Sequence, residues 1–158
     1  MRRLATRSED GYTLAELLVV VAIIGIMALL AVPFLTTYIP SASVNYAARE
    51  VQGGLNRAKL LAVSTRCSIR VQIVAGGYQF VKGNTGGTCD GTIWTGPGTD
   101  GAGTFQMGAG LTLAQNSGQS PIFNQFGAAP QTGSFKVTAS GGPQQTISVN
   151  AAGGVSIP

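Results

Sequence analysis

The sequence has 158 residues and a mass of 16.1 kDa, enough for one domain with a single core. Only 10% of the residues are charged, 44% are apolar, and glycine occurs 23 times. Histidine is absent, which excludes His-based acid–base catalysis, and the sequence offers no paired-carboxylate, Ser-His-Asp or Cys-His arrangement. We therefore expect neither enzyme activity nor a cofactor.

The net charge of +4 is distributed unevenly along the chain. Residues 71–158 contain two lysines and two aspartates, so that half of the chain has no net charge. Basic residues occur mainly near the N-terminus and in residues 49–70, at Arg2, Arg3, Arg7, Arg49, Arg57, Lys59, Arg66 and Arg70. A basic surface, if the protein has one, should follow residues 49–70.

The first predicted element is an apolar segment, Leu14–Leu35, whose only charged residue is Glu16. As a helix it would be about 33 Å long, enough to cross a bilayer core of about 30 Å. Three arginines precede it and none follows before Arg49, which predicts a cytoplasmic N-terminus. The alternatives are a cleaved secretory signal peptide and a plain single-span anchor. Neither gives Glu16 the partner that a carboxylate in a bilayer requires.

Residues 11–26 read GYTLAELLVVVAIIGI, after a short basic leader and before Pro33. This pattern resembles the class III signal of type IV pilins and type II secretion pseudopilins. The resemblance implies a leader peptide of residues 1–11 that a prepilin peptidase removes by cutting between Gly11 and Tyr12. It also implies N-methylation of the new terminus, Tyr12.

The same resemblance points to Glu16, Thr13 and Pro33 as residues of assembly. The carboxylate of Glu16 would pair with the terminal amine of a neighbouring subunit. The implied partners are the prepilin peptidase, other pilin or pseudopilin subunits, an inner-membrane assembly platform and the lipid bilayer. The subunit would be stored as a single-pass inner-membrane protein with a periplasmic C-terminal domain. It would then enter a pilus or pseudopilus, which can reach the outer membrane or cell surface.

A second helical period follows Pro33 and Pro40. Apolar residues recur there at three- and four-residue steps, at Val44, Ala47, Ala48, Val51, Leu55, Ala58, Leu61 and Ala62. One long helix over residues 12–65 is predicted, membrane-spanning at about 14–35 and one-sided near its end.

After Arg66 the apolar period changes from 3.6 to 2, and a Gly76-Gly77 turn joins two predicted strands that should pair. Eleven glycines occur in residues 83–118, which are predicted to be mainly loop. The predicted strands are 69–73, 78–82, 121–124, 134–139, 145–149 and 155–157, with short pieces near 92–94 and 111–113. The predicted fold is α+β, with the long N-terminal helix packed on an antiparallel β domain of residues 66–158.

A narrower resemblance lies in the C-terminal third. Residues 122–127 read IFNQFG, and they precede two strands separated by a Gly-Gly turn and a final Gly-Gly-Val-Ser. This arrangement is similar to the FimT and type II secretion pseudopilin-H family, which implies a minor subunit. The family's DNA-binding members would carry a Gly-Arg-x-Arg motif where this chain has residues 153–156, GGVS. We therefore do not expect direct DNA binding.

Two cysteines and two aspartates are candidates for a disulfide or a metal site: Cys67 precedes the glycine-rich region, and Cys89, Asp90 and Asp100 lie within it. Cys67 and Cys89 fit neither a CxxC motif nor a zinc cluster, and a disulfide between them is favoured over two free buried thiols. Asp90 and Asp100 lack the clustering of a calcium loop, so no metal site is predicted, although calcium binding by this loop stays open.

The sequence thus predicts a structural subunit, a minor type IV pilin or pseudopilin that assembles into or primes a filament. One alternative is a minor pilin of the DNA-uptake machinery of natural transformation. A second alternative is a membrane-anchored binding domain that forms no filament.

Overall fold

The computed structural model describes residues 12–86, 89–140 and 142–158, without the side chains of residues 31, 34–37 and 84–86. The predicted leader, including Gly11, lies outside the described residues. The chain divides into two compact units, Met1–Tyr38 and Ile39–Pro158.

A single helix, α1, comprises Leu14–Thr65 and contributes residues to both units. It includes both Pro33 and Pro40. It ends where Arg66 adopts a left-handed backbone conformation, with φ of 55°, which stops the helical repeat.

The described side chains of the first unit are exposed, including Leu17, Ile24 and Leu30 at 62%, 60% and 73%. Within the described residues, no helix satisfies the length and hydropathy that define a candidate membrane span.

The second unit contains the residues of α1 from Ile39 onward and a β domain. The strands described are β1 (Ile69–Val74), β2 (Gly77–Lys82), β3 (Asn84–Gly86), β4 (Cys89–Asp90), β5 (Thr104–Gln106), β6 (Leu111–Phe123), β7 (Gln131–Ala139), β8 (Gln144–Val149) and β9 (Val155–Ser156). Seven of them form an antiparallel sheet in the order β5-β2-β1-β6-β7-β8-β9, and β3 pairs with β4. The predicted pairing of β1 with β2 is confirmed.

The core lies between the sheet and the later part of α1. Alternation along each strand places one set of side chains on the helix side, as in the register pair Val71 and Phe80, which are both fully buried. The core residues are Val44, Ala47, Ala48, Val51, Leu55, Ala58, Ala62, Ile69, Val71, Tyr78, Phe80, Phe123, Ala129, Phe135, Val137, Ala139, Ile147 and Val149. The predicted α+β class, a long N-terminal helix packed on an antiparallel sheet, is confirmed.

The region predicted as loop, residues 83–118, contains more strand than the sequence suggested. It includes β3, β4 and β5, and the first eight residues of β6. Residues 114–119 are exposed, so the apolar alternation that marks a half-buried strand is missing. The register of β6 on β7 also shifts at two places, Gln115/Ser117 and Gly118/Ile122, which interrupts the pattern further.

Candidate assembly site and the surface of the β domain

The first turn of α1 brings together three of the residues predicted to act in processing and assembly. Tyr12 is 80% exposed. The hydroxyl of Thr13 accepts a hydrogen bond from the amide of Glu16 at 3.3 Å, and the Thr13 carbonyl accepts from the amides of Glu16 and Leu17. Thr13 is thus the N-cap of α1, and Thr-x-x-Glu is the sequence of a capping box.

This cap gives Glu16 a local role that the sequence analysis missed, although the Thr-x-x-Glu spacing was the available signal. A carboxylate in the first turn lies near the positive end of the helix dipole, which it stabilises. The side chain of Glu16 itself is exposed, so its carboxylate is accessible to a group from another molecule. Pro33 is also exposed, within α1.

The structure joins Cys67 and Cys89 in a disulfide, with Cα atoms 5.5 Å apart. Cys67 lies in the turn between α1 and β1, and Cys89 begins β4. Both are buried, and a neighbouring hydrogen bond from the amide of Gly83 to the carbonyl of Ser68 joins the same two parts of the chain. The bridge ties the glycine-rich region to the end of the helix.

The two aspartates of the predicted loop are occupied by turn contacts. Asp90 accepts hydrogen bonds from the hydroxyl and amide of Thr92, which hold its pKa below the ordinary value, and Lys82 lies 4.0 Å away. Asp100 accepts from the amides of Thr104 and Ala102 and from the side chain of Gln106. The hydrogen bond from the amide of Thr104 lowers the pKa of Asp100 most, and the hydrogen bond from the side chain of Gln106 has the next largest effect in the same direction. These carboxylates stabilise turns, and the described residues contain no cluster of three or more metal-ligating side chains.

An aromatic cluster fastens the glycine-rich region to α1. Trp94 stacks on Phe105 at a ring-centre distance of 6.2 Å, and Phe105 also packs on Tyr78 and Phe80. The guanidinium of Arg57, on the helix, lies 5.2 Å from the Trp94 ring centre and 5.8 Å from that of Phe105. This cation–π contact makes Arg57 a packing residue rather than a freely available cation.

Two further polar side chains of α1 hold the C-terminal end of the chain. Gln52 donates to the carbonyl of Val155 at 3.1 Å, and the amine of Lys59 donates to the carbonyl of Gly153 at 3.1 Å. The loop that contains Gly153 packs against Gly127, where an added Cβ would lie 3.0 Å from the Cε of Lys59. Lys59 therefore also stabilises the fold through its hydrogen bond and is not a freely available cation.

The chain was compared with known proteins by sequence and by structure. The sequence profile of the prokaryotic N-terminal methylation motif matches residues 6–32, and that of the type II transport protein GspH matches residues 47–153. The chain belongs to the GspH family. A search of curated proteins found no match.

Two solved structures resemble this GspH family protein. The minor pseudopilin EpsH from the type 2 secretion system of Vibrio cholerae is 13% identical, with a TM-score of 0.57 over 73% of this chain and 96% of EpsH. The type IV minor pilin FimU of Pseudomonas aeruginosa is 21% identical, with a TM-score of 0.50 over 73% of this chain and 87% of FimU. At these identities the likeness concerns the fold.

The family consists of pilin-type structural subunits rather than enzymes. This protein is accordingly a pilin or pseudopilin structural subunit with a prepilin signal. Its partners include other pilin-type subunits and their assembly machinery.

Proposed function

We propose that this protein is made as a precursor, cut between Gly11 and Tyr12 by a prepilin peptidase, methylated on Tyr12 and assembled into a pilus or pseudopilus. The methylation-motif profile over residues 6–32 carries the proposal, because it covers the end of the leader and the start of α1. The exposed Tyr12 and the cap at Thr13 support it, since α1 can begin immediately after the cut.

Before assembly, the subunit is held in the inner membrane by residues 14–35, with its N-terminus cytoplasmic and its β domain periplasmic. The arginines of the leader support this orientation. Cleavage creates an amino group four residues before Glu16. In a filament, that amine and the Glu16 carboxylate of a neighbouring subunit neutralise each other, which removes the cost of either charge in an apolar environment.

The cleavage is tested by intact-mass and N-terminal peptide analysis of membrane-expressed protein, with and without a prepilin peptidase. We expect the mature chain to begin at N-methyl-Tyr12 only when the peptidase is present. Gly11→Ala should retain the leader. The matched control, Gly25→Ala, adds the same methyl group where no atom apart from the adjacent residues and the local helix backbone lies within 4 Å, and it should be processed normally.

A mature protein that keeps residues 2–11 in the presence of the peptidase would refute the proposal. That result would favour the alternative of an anchored binding domain that forms no filament. Recovery of the processed chain in sheared pili, or only in a secretion-dependent fraction, would distinguish the machines that could recruit it.

A further inference from the structure

A tight turn after β6 holds an aromatic side chain in solvent. Phe126 is 82% exposed, whereas Phe123, earlier in the same segment, is fully buried. The side-chain oxygen of Asn124 accepts hydrogen bonds from the amides of Phe126 and Ala128, both at 3.0 Å. The Asn124 carbonyl accepts from the amide of Gly127, whose φ of 79° favours glycine. These bonds fix the backbone at Phe126 and leave its ring in water, where it contributes little burial to the stability of the fold.

Arg66, at the end of α1, lines the same cleft as Phe126. The cleft has a volume of about 510 Å³, and its lining residues are Val63, Arg66, Gln125 and Phe126. Arg66 is exposed and has a φ of 55°, a left-handed conformation that is uncommon for arginine. Backbone conformations of this kind occur preferentially at functional sites. One cleft therefore combines an aromatic ring left in solvent with an unfavourable backbone conformation that positions a guanidinium.

The surroundings of this cleft are positively charged. Arg66 makes no ion pair within the part of the chain that the structure describes. Lys59 lies against the same turn, with its Cε 3.0 Å from the position of a Cβ on Gly127. The acidic residues of the second unit are Glu50, Asp90 and Asp100. Both aspartates accept hydrogen bonds in turns of the glycine-rich region, and Glu50 precedes Arg66 by about 24 Å of helix. A carboxylate for this guanidinium must therefore come from another molecule.

We propose that Phe126 and Arg66 form a docking site for an acidic subunit of another sequence. An apolar pocket of that partner takes the Phe126 ring, and a carboxylate at the edge of the pocket binds Arg66 through two parallel hydrogen bonds. The inference rests on the proposed function, which assembles the chain with other pilin-type subunits. Aromatic and arginine side chains provide most of the binding energy in many protein interfaces, and a fixed turn lowers the cost of ordering them.

A second copy of this chain does not supply that chemistry. In a symmetric contact of two such clefts, Arg66 and Lys59 of one copy would face the same cations of the other. The neighbouring apolar cleft, which includes Trp94, is also lined by Arg57, so insertion of Phe126 there would again bring cations together. Single-stranded nucleic acid is disfavoured as well, because its binding sites combine several aromatic rings along a basic groove, and this cleft contains one ring.

Photo-cross-linking of the full-length protein tests the site in membranes of the bacterium that makes it. The photoreactive residue p-benzoylphenylalanine is placed at Gln125, which lines the cleft but has neither proposed role. We expect a cross-link to a subunit of another sequence, at a peptide that contains Asp or Glu. Phe126→Ala should reduce the product at least about tenfold, because a central aromatic anchor is lost. Arg66→Glu should reduce it by a similar factor, because it opposes two carboxylates, whereas Lys136→Glu, a charge reversal on β7, should not.

A charge exchange separates recognition by Arg66 from a structural effect of its replacement. Replacing the acidic residue of the cross-linked peptide by lysine should restore the product with Arg66→Glu. The proposal is overturned by a cross-link to a second copy, by a nuclease-sensitive product, by no product, or by a product that Phe126→Ala and Arg66→Glu leave unchanged. Leader cleavage and filament incorporation are scored in the same cells. A chain that is cleaved and incorporated but gives no product refutes this docking site alone.

Discussion

At the scale of single residues, Gly53 and Gly54 of α1 show that the effect of a glycine on stability depends on what surrounds it. Both weaken a helix relative to alanine by about 1 kcal/mol when only the helix is considered. Gly54 lies under the phenol of Tyr78, whose hydroxyl occupies the place that a Cβ would need. Burial of that phenol raises the pKa of Tyr78 to about 12, and the charge of Glu50 adds to the effect. Gly53, by contrast, faces open space.

We therefore predict opposite effects for the same substitution at neighbouring positions. Gly53→Ala should raise the free energy of unfolding by up to about 1 kcal/mol, through the helix preference of alanine. Gly54→Ala should lower it by about 1–3 kcal/mol, because the methyl group displaces Tyr78. Thermal unfolding of a fragment of residues 39–158 measures both, and Gly54→Ala combined with Tyr78→Phe should recover part of the loss. Equal effects at the two positions would contradict the packing argument.

The cap at Thr13 and the charge of Glu16 can be separated by two variants. Glutamine at position 16 keeps the backbone amide that donates to the Thr13 hydroxyl but has no charge. We expect Glu16→Gln to be processed and held in the membrane but not to enter filaments, as measured by its amount in sheared filaments. Thr13→Ala, which loses the cap at a cost of about 1 kcal/mol to the helix, is the control for capping alone. Normal incorporation of Glu16→Gln would show that the carboxylate's charge is not needed.

At the scale of elements, the sequence predicted the helix and the strands that have periodic apolar residues. It missed a strand without that pattern and contacts between segments that lie far apart in the chain. The alternation of β1 and β2 and the apolar steps of α1 are visible in single segments, and the structure contains them. The middle of β6, residues 115–119, has no such pattern, because its side chains are polar or absent and exposed. The contact of Arg57 with Trp94 joins a helix to a glycine-rich segment far along the chain, which spacing alone does not reveal.

Among the contacts between elements, the disulfide is the one whose loss should destabilise the glycine-rich region most. Its cysteines are 22 residues apart, and closing a loop of this size stabilises a fold by about 3 kcal/mol in the chain-entropy account. Reduction, or Cys67→Ser with Cys89→Ser, should lower the free energy of unfolding by about that amount. Non-reducing peptide mapping of exported protein should recover the two cysteine peptides linked. Complete alkylation without a reductant would refute the bond.

At the scale of the whole molecule, the structure reduces the number of cations available to an anionic partner. Lys59 donates to Gly153, Arg57 lies over Trp94, and Lys82 lies 4.0 Å from Asp90. The basic residues that are exposed in the second unit are Arg49, Arg66 and Arg70. The β domain beyond Arg70 adds no net charge. Roughly three phosphate contacts would give weak, salt-sensitive association without sequence preference.

We therefore predict that the fragment of residues 39–158 does not retard duplex DNA at about 150 mM salt and micromolar protein, because releasing so few counterions supplies little free energy. Retardation should appear only near about 10 mM salt, and it should be lost on Arg66→Ala with Arg70→Ala. Lys136→Ala, which removes one charge from another strand, is the matched control. Tight binding at the higher salt that the same double variant abolishes would contradict the prediction and make the helix end and the first strand a DNA site. Without such binding, a part in DNA uptake would require a more basic subunit to contact the DNA, with this protein acting through filament assembly.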